Sequence, residues 1–300
     1  MAAIPRWRVT AVTIPAVAEL TLPDGRRLGF DVLGDPDGFP LIVLHGTPGS
    51  ARQVAGLAEA ARERGVAMIA PDRAGYGRSS FDRAGTIASG ARDLGELLGH
   101  LNLSGCAVVG LSGGGPTALA CGALLAGPVV AVATVGGVGP LVPRDPRLPP
   151  DRLLIRAVGK SRVGARALFA AIVRTGRNRP ELALRKITGL MAEPDARLLG
   201  ADGPVRTAFL DDLRHASPTT ARAVARDFWL FSREWDIDLS HVSVPADVWH
   251  GTADRNVPVA HARVIADRCP AARLHTVEGG GHLLIGQLDQ IIAGLRPGGG

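Results

Sequence analysis

The sequence is poor in cysteine and in aromatic residues: its 300 residues include three cysteines, one tyrosine and four tryptophans. An odd, small number of cysteines does not indicate a disulfide framework, and we interpret Cys106 and Cys121 as small buried side chains. No apolar run reaches the roughly 18 residues that a membrane-spanning helix requires. The first residues also lack the uninterrupted apolar stretch of a secretory signal. These absences predict a globular, cytoplasmic protein without a membrane span.

Acidic residues are outnumbered, and the excess of basic residues lies in one segment. The net charge of the chain is +6, whereas residues 141–235 carry 18 Arg and Lys against 10 Asp and Glu, a net charge of +8. A basic segment can bind nucleic acid, but this one lacks interleaved aromatic residues and any nucleic-acid-binding motif. Its arginines recur at helical spacing. We therefore interpret them as solvated helix faces and expect no nucleic-acid partner.

Strand and helix patterns alternate along most of the chain, which is typical of a parallel α/β sheet. A hairpin is predicted over 18–35, and the apolar run at 40–44 predicts a strand buried on both faces. The further predicted strands are 66–70, 106–111, 129–135, 246–250 and 273–277, and the predicted helices are 51–64, 87–101, 115–126, 258–268 and 284–295.

The alternation is interrupted once. Residues 141–150 are rich in proline, and residues 151–235 have helical periodicity and no convincing strand. We predict a mostly parallel, doubly wound, eight-stranded sheet with an inserted helical cap. Its core domain comprises 1–139 and 241–300, and the cap comprises 140–240.

A glycine-rich turn that carries a serine follows the strand at 106–111. Residues 110–114 read Gly-Leu-Ser-Gly-Gly, which fits the G-x-S-x-G pattern of a nucleophile elbow. This strand-to-helix turn is so tight that side chains two positions before or after the serine would collide with the backbone. Gly110 and Gly114 remove that obstacle. Ser112 is therefore the candidate nucleophile.

A serine nucleophile needs a base, and the base needs a carboxylate that orients it. Functional loops of parallel α/β sheets lie beyond the carboxyl ends of the strands. Asp254 lies in the loop after the strand at 246–250. His282 lies after the strand at 273–277, where three preceding glycines leave it room to reach a neighbouring strand end. We expect these two side chains to converge on Ser112.

A third loop, His45-Gly46-Thr47-Pro48-Gly49, follows the strand at 40–44. The backbone N–H of Thr47, paired with that of Gly113, could hold an oxyanion that develops on a substrate carbonyl. We interpret His45 and Gly46 as support for this loop and not as proton carriers. Such chemistry requires no metal and no organic cofactor, and none is expected.

Together these motifs resemble the α/β-hydrolase superfamily, specifically its capped serine hydrolases of the carboxylesterase or proline-iminopeptidase type. The matching positions are His45-Gly46-x-Pro48-Gly49, Pro71-Asp72-Arg73-x-Gly75-Tyr76-Gly77-x-Ser79, the serine elbow, Gly251-x-x-Asp254 and Gly281-His282. The resemblance implies the α/β-hydrolase fold and a cap that lines the substrate pocket. It also implies cleavage of a small, apolar, ester-type substrate through an acyl-enzyme.

Several alternatives stay open at this point. Serine at the elbow excludes the haloalkane dehalogenases and epoxide hydrolases of this fold, which use aspartate there. A proline iminopeptidase would need cap carboxylates such as Glu181 or Glu193 for the substrate's amine, and a cap of net positive charge suits that amine poorly. Lactonase, C–C bond hydrolase and cofactor-free haloperoxidase activities stay open. A ligand-binding receptor is the non-enzymatic alternative, and a homo-oligomer is compatible with the sequence.

Some residues allow two interpretations. Asp236 and Asp238 are fallback acids for the triad, although they precede the strand at 246–250. Asp72 and Arg73 are interpreted as a structural turn and ion pair. Six aromatic residues either line an apolar pocket or pack the cap on the core: Phe169, Phe209, Phe228, Trp229, Phe231 and Trp235.

Overall fold

The computed structural model describes residues 17–140 and 161–296. The proline-rich segment 141–150 and the glycine tail 298–300 lie outside the described residues, as do the first 16 residues. No helix within the described ranges is long and apolar enough to cross a membrane.

Eight strands form one sheet in the order β1-β2-β4-β3-β5-β6-β7-β8. The strands are β1 Val17–Thr21, β2 Arg27–Gly34, β3 Phe39–Leu44, β4 Val66–Pro71, β5 Cys106–Leu111, β6 Val129–Val135, β7 Ala246–Gly251 and β8 Ala272–Val277. Strand β2 pairs in antiparallel fashion with β1 and with β4, and the remaining neighbours are parallel. The predicted eight-stranded, mostly parallel sheet is confirmed.

Helices cover both faces of the sheet. The core helices are α1 Ala51–Val54, α2 Ala58–Glu63, α3 Ile87–His100, α4 Gly115–Leu124, α10 Ala260–Arg268 and α11 Leu288–Leu295. Successive strand residues point to opposite faces, so Ile42 and Leu44 pack with α3, α4 and α10. Leu41 and Val43 pack on the other face with α1, α2 and α11. This alternation explains why the apolar run of β3 has no polar position.

The described part of the insertion between β6 and β7 consists of helices joined by turns and contains no strand. Its helices are α5 Arg162–Asn178, α6 Pro180–Thr188, α7 Glu193–Gly200, α8 Pro204–Arg214 and α9 Thr220–Phe231. Helix α8 packs on α1, close to the carboxyl ends of the parallel strands. We refer to α5–α9 as the helical insertion.

The segment 51–64 is helical as predicted, but a short turn divides it into two helices. The segment forms α1, a 3₁₀ turn at Ala55–Leu57 and then α2. Gly56 lies in this turn, and a Cβ built on it would lie 2.6 Å from the carbonyl oxygen of Pro204, the first residue of α8. Contact with the helical insertion therefore accompanies the break, and the local periodicity of the sequence carries no signal of that contact.

Candidate active site

The candidate nucleophile occupies a left-handed backbone conformation. Ser112 directly follows β5 and has φ = +51°, a region that non-glycine residues rarely adopt. A Cβ on Gly110 would lie 2.5 Å from the carbonyl oxygen of Gly114, and one on Gly114 would lie 2.6 Å from that of Leu44. Real Cβ atoms are not found at these distances. The two glycines are therefore what permits a serine at this strand-to-helix turn.

Asp254 and His282 lie in contact. The Nδ1 atom of His282 lies 2.7 Å from Oδ2 of Asp254, and both side chains are buried. Because an ionised carboxylate only accepts hydrogen bonds, Nδ1 carries the proton and donates it. In the neutral imidazole, Nε2 is then the unprotonated nitrogen. This is the tautomer that a general base requires.

Three further groups hold Asp254 in place. Its Oδ1 accepts the backbone N–H groups of Asn256 and Val257, at 2.8 and 3.0 Å. His250 places Nε2 at 3.3 Å from Oδ2 and at 2.6 Å from the carbonyl oxygen of Val257. Burial alone would raise the pKa of Asp254, but hydrogen bonds from His250 and His282 hold that pKa well below its usual range. Asp254 is thus ionised, and the sequence analysis missed the contribution of His250.

Ser112 and His282 line the same cavity, whose volume is about 560 Å³. The structure records a hydrogen bond from His282 to Asp254 but none from Ser112 to His282 among the described residues. Catalytic hydrogen bonds of substrate-free enzymes are often long and tighten when substrate binds. The geometry brings the acid and the base into contact and places the serine on the same cavity wall.

The two fallback acids have other partners. Asp236 accepts the N–H groups of Ile87 and Ala88 and so caps the start of α3. Asp238 accepts the N–H of Ser240 in the next turn. Asp236 and Asp238 thus cap the N-termini of helical turns, whereas Asp254 lies beside His282.

Thr47 and Gly113 are neighbours across the cavity rim. A Cβ built on Gly113 would collide with Oγ1 of Thr47, so the elbow and the loop after β3 are in close contact. Among the hydrogen bonds of the loops and turns in the described ranges, the backbone N–H of Thr47 donates to no backbone acceptor. An unpaired donor at a cavity wall is what an oxyanion requires.

The loop that carries Thr47 is held by one arginine. Arg73 donates its backbone N–H to Nε2 of His45 at 3.0 Å, and its Nη2 lies 3.0 Å from the carbonyl oxygen of Gly46 and 2.6 Å from Oγ1 of Thr47. Burial and the charge of Arg73 lower the pKa of His45 to about 3. His45 is therefore neutral near pH 7 and accepts a hydrogen bond in a structural role.

The interpretation of Asp72 and Arg73 as one ion pair needs correction. Asp72 pairs with Arg78 at 2.9 Å and accepts the N–H of Ala51 at 2.7 Å. Arg73 instead pairs with Asp227 of α9, also at 2.9 Å. The two adjacent residues thus have separate partners, and that of Arg73 belongs to the helical insertion.

Three buried aspartates of the helical insertion contact the active-site loops, and sequence reasoning missed all three. Asp195 of α7 accepts the backbone N–H of His282 at 2.6 Å. Asp212 of α8 accepts the hydroxyl of Ser50 at 2.5 Å. Asp227 accepts the hydroxyl of Thr47 at 2.7 Å. Aspartate among helical residues carries no sequence signal of such a partner, since every partner is distant in the chain.

The two cap carboxylates that the sequence offered as amine ligands are exposed. Glu181 pairs with Arg206, and Glu193 pairs with Arg197. Neither lines the cavity. Among the described residues, the carboxyl group that lines it is that of Asp212, whose pKa burial raises to about 7.

Of the six aromatic residues that the sequence assigns either to the pocket lining or to packing, three line the cavity and three do not. Phe209, Phe228 and Phe231 line the cavity. Phe169 packs on Phe228 with ring centroids 5.0 Å apart, Trp235 belongs to the core under the sheet, and Trp229 stacks with the guanidinium of Arg233. Most of the remaining lining is aliphatic, so the cavity suits an apolar ligand. No cluster of side chains that could hold a metal ion occurs in the part of the chain that the structure describes.

Comparisons with known proteins show the family and the fold. A family model described as the alpha/beta hydrolase fold matches residues 40–287, so the chain belongs to the α/β-hydrolase family. A non-heme chloroperoxidase of Streptomyces lividans is 26% identical over 280 residues, which cover 91% of this chain and 95% of that protein. An uncharacterized hydrolase of Bacillus subtilis is 34% identical over 96 residues, 32% of this chain and 33% of that protein. The solved structure of an esterase from Exiguobacterium antarcticum is similar in fold, with a TM-score of 0.66 at 20% identity, and covers 91% of this chain and 96% of that one.

Proposed function

We propose that the protein is a serine hydrolase that cleaves carboxylic esters through an acyl-enzyme. The observation that carries the proposal is the 2.7 Å contact between His282 and Asp254 at a cavity that Ser112 also lines. The helical insertion acts as the cap of this cavity, with the boundaries 140–240 that the sequence predicts.

The mechanism follows from the positions of these groups. The Ser112 hydroxyl attacks the ester carbonyl while Nε2 of His282 takes its proton, and ionised Asp254 stabilises the imidazolium. The N–H groups of Thr47 and Gly113 stabilise the negative charge on the carbonyl oxygen. The tetrahedral intermediate collapses, and the alcohol leaves with the proton from His282. Water, deprotonated by the same imidazole, then releases the carboxylic acid and restores Ser112.

Hydrolysis of a p-nitrophenyl ester by Ser112→Ala tests this mechanism. We expect kcat to fall by about 10⁴-fold or more, because removing the nucleophile removes the covalent route. A fluorophosphonate probe should label the unmodified protein and leave Ser112→Ala unlabelled. Ser240→Ala, at an exposed serine, is the matched control. It should keep both ester hydrolysis and labelling by the probe. Full activity of Ser112→Ala would contradict the proposal, and a failure of the unmodified protein to label would favour a binding function.

A second candidate is perhydrolysis, in which hydrogen peroxide replaces water as the attacking group on the acyl-enzyme. The similarity to a protein named non-heme chloroperoxidase, along most of both chains, favours this candidate. The reaction would use Ser112, His282 and Asp254 and no metal. Peracid formation from acetate and peroxide, measured through bromide oxidation, should be lost in Ser112→Ala. Bromide oxidation that persists in Ser112→Ala would remove this candidate.

A further inference from the structure

The cavity at Ser112 continues below the strand ends into the core domain. Its lining includes Leu41 of β3, Val66 and Met68 of β4, and Val109 of β5. All four side chains belong to the face of the sheet that α1, α2 and α11 cover. A pocket that lay only between the core and the helical insertion would be lined by the loops at the carboxyl ends of these strands. It would not be lined by residues within the strands.

The register of the sheet gives the depth of this extension. Leu41 is paired with Ala107 on one side and with Met68 on the other, so the three residues lie at one level. Ala107 precedes Ser112 by five positions of an extended strand. At about 3.3 Å per residue, the level of Leu41 therefore lies about 16 Å along the sheet from the candidate nucleophile.

The side walls of the extension are helices. Leu57 and Ala60, in and just after the 3₁₀ turn before α2, line one side, and Ile291 and Ile292 of α11 line the other. At the surface the two helices are joined by an ion pair between Arg64 and Asp289, with Nε and Oδ1 2.6 Å apart.

Among the described residues, the ionisable groups that line the cavity lie in its upper part. Asp212, Arg255 and His282 line the cavity from the helical insertion and from the loops after β7 and β8. The strand and helix residues that line the extension are all apolar. An apolar space of this kind offers water no hydrogen-bond partners, and it favours an apolar occupant.

We propose that this extension, which we call the acyl channel, holds the hydrocarbon chain of an acyl group bonded to Ser112. The proposal rests on the proposed function and narrows its substrates to esters of unbranched medium- and long-chain carboxylic acids. The acyl group stays bonded to the serine between the two chemical steps, whereas the alcohol leaves after the first. A deep space along the sheet therefore suits the acyl chain better than the alcohol. Overall, ester and water give carboxylic acid and alcohol.

Hydrolysis of p-nitrophenyl acetate, butyrate, octanoate and dodecanoate measures the chain-length preference. Each methylene that enters the channel should raise kcat/KM about fourfold, the ratio that corresponds to about 0.8 kcal/mol per buried methylene. Ala60→Phe should fill part of the channel from α2. If it expels three methylenes, kcat/KM for dodecanoate should fall by about 60-fold. The value for acetate, which has no chain to reach Ala60, should fall by far less than the value for dodecanoate.

Ala58→Phe is the matched control, because Ala58 lies on the same helix, is also partly exposed and does not line the cavity. It should leave the whole series unchanged. Inhibition of acetate ester hydrolysis by free dodecanoate provides a test without any variant, since dodecanoate should inhibit far more strongly than butyrate.

The outcomes distinguish a failure of the acyl-channel proposal from a failure of the proposed function. If the protein prefers acetate esters and Ala60→Phe does not change that preference, the acyl-channel proposal is wrong. The proposal of ester hydrolysis would not be affected. A chain-length preference that follows the alcohol in a series of alkyl acetates would also overturn the acyl-channel proposal. Absence of hydrolysis of every ester, together with absence of fluorophosphonate labelling, would instead remove the proposed function on which the channel rests.

Discussion

At the scale of single residues, the site depends on contacts too close for any larger side chain. Gly113 is one such position, because an added Cβ would collide with Oγ1 of Thr47. Both residues supply the N–H groups that we assign to the oxyanion. A methyl group at position 113 must therefore push the two donors apart.

We expect Gly113→Ala to lower kcat for an ester by about 10²-fold, close to the effect of losing one oxyanion donor. Gly99→Ala is the control, since a Cβ at this helical position meets no atom within 4 Å. It should keep full activity and raise the free energy of unfolding by about 0.5–1 kcal/mol. Steady-state kinetics measure kcat of both variants, and urea denaturation measures their free energy of unfolding. Equal activity of the two variants would contradict the assignment of Gly113.

Asp212 makes the free energy of unfolding depend on pH. Burial raises the pKa of this carboxyl from 3.8 to about 7 in the folded protein. Between these values the unfolded chain binds fewer protons than the folded protein. This group therefore lowers the free energy of unfolding as the pH rises from about 4 to 7.

Asp212→Asn should remove this contribution and keep an acceptor for the hydroxyl of Ser50. The variant should gain roughly 3 kcal/mol in unfolding free energy relative to the unmodified protein between pH 5 and pH 8. Urea denaturation of both proteins at the two pH values measures the difference. Parallel pH dependence of the two proteins would show that Asp212 is ionised in the folded state.

At the scale of elements, the helices of the insertion position the loops of the core. Helix α7 does so through Asp195, whose two oxygens accept the N–H groups of His282 and Leu283 at 2.6 and 2.9 Å. The side chain is 2% exposed. Replacement by asparagine would turn an amide group toward one of the two N–H donors, so one buried donor would lose its partner.

We expect Asp195→Asn to lower the free energy of unfolding by about 1–3 kcal/mol, the cost of one unsatisfied buried donor. It should also lower kcat more than it raises KM, because it disturbs the loop that carries His282. Glu193→Gln, on the same helix and at an exposed ion pair, should cost at most about 0.5 kcal/mol. Unchanged kinetics in Asp195→Asn would mean that the loop holds its shape without α7.

The secondary-structure elements differ in how well the sequence alone predicts them. The strands and the elbow follow from local patterns, since alternation and glycine spacing act within a few residues. The break of the helix predicted over 51–64 depends on the approach of Pro204 to Gly56, and no local pattern encodes it. Asp195 was missed for the same reason, because its partner His282 lies 87 positions away.

At the scale of the whole molecule, the core and the helical insertion share one buried network. Asp227 of α9 binds Arg73, Thr47 and the hydroxyl of Tyr76, at 2.9, 2.7 and 2.8 Å. Burial raises the pKa of Asp227, but Arg73 and Arg226 bring it below its ordinary value. Asp227 is therefore charged while buried, and the loss of Arg73 would leave that charge poorly compensated.

A double-mutant cycle on Arg73→Met and Asp227→Asn tests whether this pair joins the two parts. Each single change should lower the free energy of unfolding by about 3–5 kcal/mol, because it leaves a buried charge without its partner. The double variant should lose about 2–3 kcal/mol less than the sum of the single variants.

The half-exposed pair Arg52 and Asp211, 2.8 Å apart, also connects the core to the insertion and serves as the comparison. Its coupling should be at most about 1 kcal/mol, because solvent screens exposed charges. Near-additive losses at Arg73 and Asp227, equal to those of the exposed pair, would mean that the buried network does not connect the insertion to the loop of Thr47. A strong coupling would instead show that this buried pair joins the insertion to the loop of Thr47.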